Sequence, residues 1–151
     1  ADYAMGLFRV DLRSLVVTPL IVRQPQMLEG IDGLVRIGPY LIAIQNGALP
    51  RRIVRISLDR SDRFVDHVML IESNVEAWGE PTLGTHRDGG LLYVADGQWE
   101  RYGAGGILTD GAPPRPTAIR EINDFWDIII TDRRQSSDVP AGSLATRRGR
   151  S

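Results

Sequence analysis

The chain repeats itself at a spacing of about fifty residues, and that repeat limits its fold more than any other feature. Leu41-Ile42-Ala43-Ile44-Gln45-Asn46 is echoed by Leu91-Leu92-Tyr93-Val94-Ala95-Asp96, an offset of 50 from Leu41 to Leu91, and a turn-rich stretch precedes each copy (Ile37-Gly38-Pro39, then Arg87-Asp88-Gly89-Gly90). A second echo runs Leu7-Phe8-Arg9-Val10-Asp11-Leu12, then Ile53-Val54-Arg55-Ile56-Ser57-Leu58, then Ala118-Ile119-Arg120-Glu121-Ile122. Its offsets are 46 from Phe8 to Val54 and 65 from Val54 to Ile119. The wider gap holds an insertion between Gly103 and Pro116, crowded with Gly and Pro, which favour turns over regular elements. Self-similarity at a fixed period marks arrays in which each unit buries its apolar face against the next.

The repeated pieces alternate apolar with polar residues or form short apolar runs bounded by turn residues, and no window carries a helical stripe of a dozen residues. The chain therefore reads as all-β. A unit of just under fifty residues with about four short antiparallel strands has the size of a β-propeller blade, and roughly three blades fit. Residues 1–27 read as the outer strands of one blade, 28–75 as a second blade and 76–122 as a third, with the long Gly/Pro loop at 103–116 inserted. Beyond Asn123, Phe125-Trp126-Asp127-Ile128-Ile129-Ile130 reads as one more strand, and Arg133 to Ser151, rich in Ser, Gly and Arg, as a disordered tail. Propellers close with about four to eight blades. Three are an incomplete propeller, so remaining blades or self-association are expected to cover the exposed blade faces. The chain opens without Met or a leader and almost directly on a strand, which reads as a start in mid-protein.

Charge removes one class of function: all 18 basic residues are Arg, 19 residues are acidic, and the net charge is −1. No basic excess exists to neutralise a phosphate backbone, so nucleic acid is not an expected partner. The run Arg147-Arg148-Gly149-Arg150 reads as part of a solvated tail. With no Cys there is no disulfide framework, thiolate metal site or cysteine nucleophile, and the compartment stays open. The longest apolar stretch, Leu34 to Ile44, is broken by Arg36, Gly38 and Pro39, well short of the roughly 20 residues that span a bilayer, so no membrane segment is expected and the chain reads as soluble.

Gly30-Ile31-Asp32-Gly33-Leu34, then Leu41 to Gly47, then Val54-Arg55-Ile56-Ser57-Leu58-Asp59 resemble the gluconolactonase-like (senescence marker protein, regucalcin-like) propellers over about residues 3 to 122. In that family a Pro-Asp-Gly turn enters the innermost strand of a blade and its Asp binds a divalent metal. Asp32 falls on that position, with Ile31 standing where the family has Pro. One blade later, Gly79-Glu80-Pro81 resembles the family's Gly-Glu-x-Pro motif, whose Glu is also a metal ligand. Glu80 precedes Pro81 directly, one residue short of that pattern. The resemblance implies a metal-dependent hydrolase acting on a small-molecule sugar lactone or similar ester.

The residues support that chemistry on their own terms. Asp32 and Glu80 lie almost one repeat apart and are expected to sit at equivalent positions facing a common channel. Carboxylates gathered there repel one another unless a cation neutralises them; Ca²⁺ suits oxygen ligands best, with Zn²⁺ or Mn²⁺ as substitutes. Such an ion polarises a carbonyl and activates a water while Asp32, as the catalytic base, takes its proton. Asn46 and Asp96 end equivalent strands and, with Gln98 and Trp99, are expected to line a substrate site. Each has a plainer reading. Asp-Gly is a common turn dipeptide, Asn-Gly and Asp-Gly suit hairpins, and a Trp at a strand end, Trp78 included, often only packs. His67 and His86 have no partner at metal-ligand spacing and read as structural or exposed, and Gly103 to Gly106 lacks the Lys of a phosphate loop. The second functional reading is a non-catalytic propeller scaffold that binds a small molecule or a protein.

Overall fold

The computed structural model describes residues 1–123. Ten strands lie in this span: β1 Phe8–Val10, β2 Val17–Pro19, β3 Ile21–Val22, β4 Ile31–Ile37, β5 Tyr40–Gln45, β6 Arg52–Leu58, β7 Phe64–Ser73, β8 Gly84–Arg87, β9 Gly90–Val94 and β10 Ile119–Ile122. The only helical segments among the described residues are two single 3₁₀ turns, Trp99–Arg101 and Ala104–Gly106. The all-β reading holds. The expected strand at 125–130 and the Arg-rich tail lie outside the described residues. Among those described, no helix is long and apolar enough to cross a membrane.

Strands β4 to β7 form an antiparallel meander, with β3 added in parallel at the outer edge of β7 to make five strands. Strands β8, β9 and β10 form a three-stranded meander, and β1 and β2 a separate hairpin. The sequence echo is a structural one. Leu34 pairs with Ala43, and Gly84 with Tyr93, so the β4–β5 and β8–β9 hairpins share one register at an offset of 50. Ile44 pairs with Ile53, and Val94 with Ile119, so β6 and β10 are also equivalent, but with Ile119 matched to Ile53 and not to Val54: the offset is 66 where the sequence echo suggests 65, and that single residue exchanges the two faces.

Side chains alternate across a strand, and here both sides of the central sheet are buried. Ile42, Ile44 and Ile53 pack with Leu91, Tyr93 and Ile122 of the three-stranded sheet. Ala43, Val54, Ile56 and Val65 pack on the opposite side with Leu7 and Leu28. That double burial explains why β5 reads as a continuous apolar run rather than an alternating one. Trp78, edge-on to Tyr93 at 6.2 Å, belongs to the first of these cores, in line with its packing role.

Two irregularities place the functional residues. Ile31 pairs with Gln45 while Gly33 pairs with Ile44, leaving Asp32 as the extra residue of a β-bulge. The bulge breaks the period-two alternation: Ile31 packs on the Ala43 side, while a Cβ at Gly33 would meet Ile44 on the other. The second irregularity is the close approach of Gly30, at φ +72°, to Gly47. A Cβ on Gly30 would lie 2.8 Å from the Cα of Gly47, and the Gly47 N–H donates to the Gly30 carbonyl at 3.2 Å. Only glycine tolerates both the conformation and the contact.

Candidate functional site

Asp32, Asn46, Glu80 and Trp99 line one open cleft of about 290 Å³, together with Tyr3. Four residues from separate parts of the chain thus meet where the repeat reading brings strand ends together.

Asp32 is the centre of a small polar cluster. Its Oδ2 accepts a hydrogen bond from Asn46 Nδ2 at 3.0 Å and a second, short one from Thr82 Oγ1. Both fall on one oxygen, so Oδ1 stands outside them. Asn46 follows β5 and is only 9 % exposed, and its amide oxygen, Oδ1, is buried without a hydrogen-bond partner. A buried carbonyl with nothing to accept from is costly, so Asn46 is a candidate to take a further partner.

Glu80 lies in the segment leading into β8. Burial pushes its carboxyl above the usual value; Arg51 opposes that shift, and Glu100 and Asp32 reinforce it. The repulsion from Asp32 puts the two carboxylates within electrostatic reach. Arg51 also donates a short hydrogen bond to the Gly79 carbonyl, tying β6's entry to the Glu80 segment. The offset of 50 places Thr82, not Glu80, at the position equivalent to Asp32. Glu80 stands two residues earlier and still reaches the cleft.

Asp96 and Gln98 are engaged elsewhere. Asp96 Oδ1 accepts from the backbone N–H of Gln98 at 3.1 Å and of Glu80 at 3.3 Å, while its Oδ2 is paired with Arg115 at 2.9 Å. Gln98, 4 % exposed, donates from Nε2 to the Arg115 carbonyl at 3.0 Å and accepts at Oε1 from Arg101 and from the Arg115 N–H. Both side chains fasten the long loop beside the cleft rather than lining it. Trp99 and Tyr3 leave ring surface open to solvent at the cleft. His67 and His86 are exposed, and His86 Nε2 accepts from the Gly89 N–H at 3.2 Å, in keeping with a structural role.

Thr82 and Tyr3 were not singled out from the sequence. The signal for Thr82 was present, since the repeat aligns it with Asp32. No local pattern marks Tyr3, whose backbone carbonyl binds the Gly30 N–H at 2.7 Å across the fold.

The side chains lining this cleft that could hold an ion offer oxygens: the Asp32 and Glu80 carboxylates and the Asn46 amide. Among the described residues no three His, Cys, Asp or Glu side chains gather, so the third oxygen here is the amide's. An all-oxygen set containing an unpartnered carbonyl fits a hard divalent cation. Comparison with protein-family profiles, with curated proteins and with solved structures finds no match to this chain.

Proposed function

We propose that the cleft binds a divalent cation, Ca²⁺ in preference to Zn²⁺ or Mn²⁺, and that the chain carries blades of a β-propeller of the gluconolactonase-like kind that hydrolyses a sugar lactone or similar ester. One observation carries the reading: Asp32, Glu80 and Asn46 line the same cleft, and Asn46 keeps a buried Oδ1 with no hydrogen-bond partner. Asp32, Glu80 and Asn46 would hold the ion, with water or substrate completing the six to eight oxygens that Ca²⁺ takes. The ion would supply carbonyl polarisation and a water of lowered pKa.

The chain's own residues would do the rest. Asn46 and Thr82 fix Asp32 through Oδ2, so that its carboxylate is oriented and its Oδ1 is available to take a proton from the attacking water. The exposed faces of Trp99 and Tyr3 offer stacking surface for an apolar ring face. Glu80, desolvated and repelled by Asp32, is a carboxylate that gains from a neutralising ion more than an exposed one does.

A non-catalytic scaffold is the second reading, favoured by the internal bonds of Asp32, which suffice to give it a purely structural role. Calorimetric titration of Ca²⁺, Zn²⁺ and Mn²⁺ separates the two. Stoichiometric binding that is lost in Asp32→Ala and in Glu80→Ala, followed by metal-dependent turnover of sugar lactones, supports the hydrolase. No binding, or binding unchanged in both variants, leaves the scaffold.

A further inference from the structure

Asp96 is the repeat equivalent of Asn46, 50 residues on, yet the two side chains reach different targets. Asn46 binds the Asp32 side chain, whereas Asp96 binds main chain. Its Oδ1 accepts from the Glu80 N–H at 3.3 Å and from the Gln98 N–H at 3.1 Å. The following residue holds the other side of Glu80, because the Gly97 N–H donates to the Glu80 carbonyl at 2.8 Å. Both backbone groups of Glu80 are thus tied to the segment that follows β9. Gly79 makes room for this, since a Cβ there would collide with the Asp96 carboxylate. Gln98 in turn opens the 3₁₀ turn that carries Trp99. One carboxylate oxygen therefore fixes the main chain beside two of the residues that line the cleft.

The second oxygen faces the long loop. Asp96 Oδ2 pairs with the Arg115 guanidinium at 2.9 Å, the aspartate side chain being 16 % exposed and the arginine's 64 %. Arg115 is also held by its backbone: its N–H donates to Gln98 Oε1 at 3.1 Å, and its carbonyl accepts from Gln98 Nε2 at 3.0 Å. A carboxylate with one oxygen on two amides and the other on a guanidinium cannot rotate without breaking one set of bonds, and both sets are of the stronger, charge-assisted kind. Without Arg115 the carboxylate turns freely toward water, and its grip on the Glu80 N–H weakens.

We propose that Asp96 is a positioning residue for Glu80, and that its pair with Arg115 couples the 103–116 loop to the cleft. The positioning concerns bonds within this chain alone, while the coupling rests on the reading of the cleft as a cation site. Linkage makes that coupling reciprocal: if Arg115 helps to hold Glu80 where an ion needs it, an ion on Glu80 tightens the loop by the same factor.

Amide hydrogen exchange, read residue by residue by NMR on the metal-free chain, tests the positioning. Asp96→Ala is expected to speed exchange of the Glu80 N–H about tenfold or more, the effect of losing one bond to a charged group. Asp96→Asn keeps an oxygen acceptor and is expected to restore most of the protection. Arg115→Ala is expected to speed the Glu80 N–H even with Asp96 in place. The Thr82 N–H, bonded to the Val94 carbonyl at 2.9 Å, reports on the sheet itself and is expected to exchange as in the wild type throughout. Calorimetric titration with Ca²⁺ tests the coupling: Arg115→Ala is expected to weaken binding about fivefold or more. Ca²⁺ is also expected to slow proteolytic cleavage within 103–116 in the wild type and not in Arg115→Ala. Glu80 exchange unchanged in Asp96→Ala, or Thr82 accelerated by the same factor, overturns the positioning. Ca²⁺ affinity unchanged in Arg115→Ala overturns the coupling. A wild type that binds no Ca²⁺ overturns the cation reading and the coupling with it, while the exchange result decides the positioning without metal.

Discussion

A bulge at Asp32 does what alternation alone would not: it puts a carboxylate, rather than an apolar side chain, at the meeting point of two sheets. Thr82 is the partner that holds it there, and a hydrogen bond to a charged group contributes about 1.5–3 kcal/mol. Thr82→Val is therefore expected to destabilise the fold by about 2 kcal/mol, measured by urea unfolding, and to weaken metal binding in the same calorimetric experiment as Asp32→Ala. Tyr93 makes a parallel case on the core side. Its hydroxyl accepts from Trp78 Nε1 at 2.8 Å and from Arg120 at 3.1 Å and donates to Glu72 at 2.9 Å. Tyr93→Phe leaves three partners unsatisfied and is expected to cost about 1–3 kcal/mol in the same unfolding assay. That Asp32 and Asn46 line the cleft was legible because turn dipeptides mark strand ends. Glu80 at the cleft was legible from its motif, whereas Thr82 was legible only through the repeat that aligns it with Asp32, since a hydroxyl carries no local signature of binding a carboxylate 50 residues away.

Turns and loops decide how well each element is held. In the β6–β7 turn, Asp59 accepts from Ser61 Oγ at 2.7 Å and from the N–H groups of Arg63 and Phe64 at 3.0 and 3.1 Å. The Ser61 hydrogen bond, helped by those two backbone bonds, holds its carboxyl at about 2 instead of 3.8. A depressed folded pKa means the contribution is complete above pH 3.8 and is lost as pH falls toward 2. Asp59→Asn is expected to flatten the acid loss of stability over that window, followed by unfolding midpoints from pH 5 downward. The loop at 103–116 is better anchored than its Gly and Pro content suggests. Arg101 grips Asp110 with two bonds of 2.9 and 3.1 Å and also reaches the carbonyls of Ala112 and Pro113. Arg101→Ala or Gln98→Ala is expected to speed proteolytic cleavage within 103–116 while leaving the unfolding midpoint of the sheets nearly unchanged. Composition correctly marked this stretch as irregular, because Gly and Pro disfavour strands. It did not reveal the anchoring, which depends on a buried glutamine whose partners are a guanidinium and a backbone segment further along.

At the scale of the whole chain, equivalent residues have unequal fates, and that inequality is measurable. Ile53 and Ile119 occupy the same repeat position, yet Ile53 is fully buried and Ile119 is 59 % exposed. Ile53→Ala removes packed core atoms and is expected to cost about 2–5 kcal/mol. Ile119→Ala is expected to cost less than about 0.5 kcal/mol, both measured by urea unfolding. By itself the sequence determined the all-β class and the offset of 50 that relates β4–β5 to β8–β9, because period-two patterning and turn residues are local properties that survive without knowledge of neighbours. Only the tertiary structure decided which side of each strand meets which sheet. It alone showed that β3 joins the central sheet in parallel, that a bulge turns Asp32, and that Asp96 and Gln98 serve the loop while Asn46 keeps a buried, unpartnered oxygen. The physical reason is the same in each case: a side chain's free energy depends on the atoms that surround it after folding, and those come from residues tens of positions away.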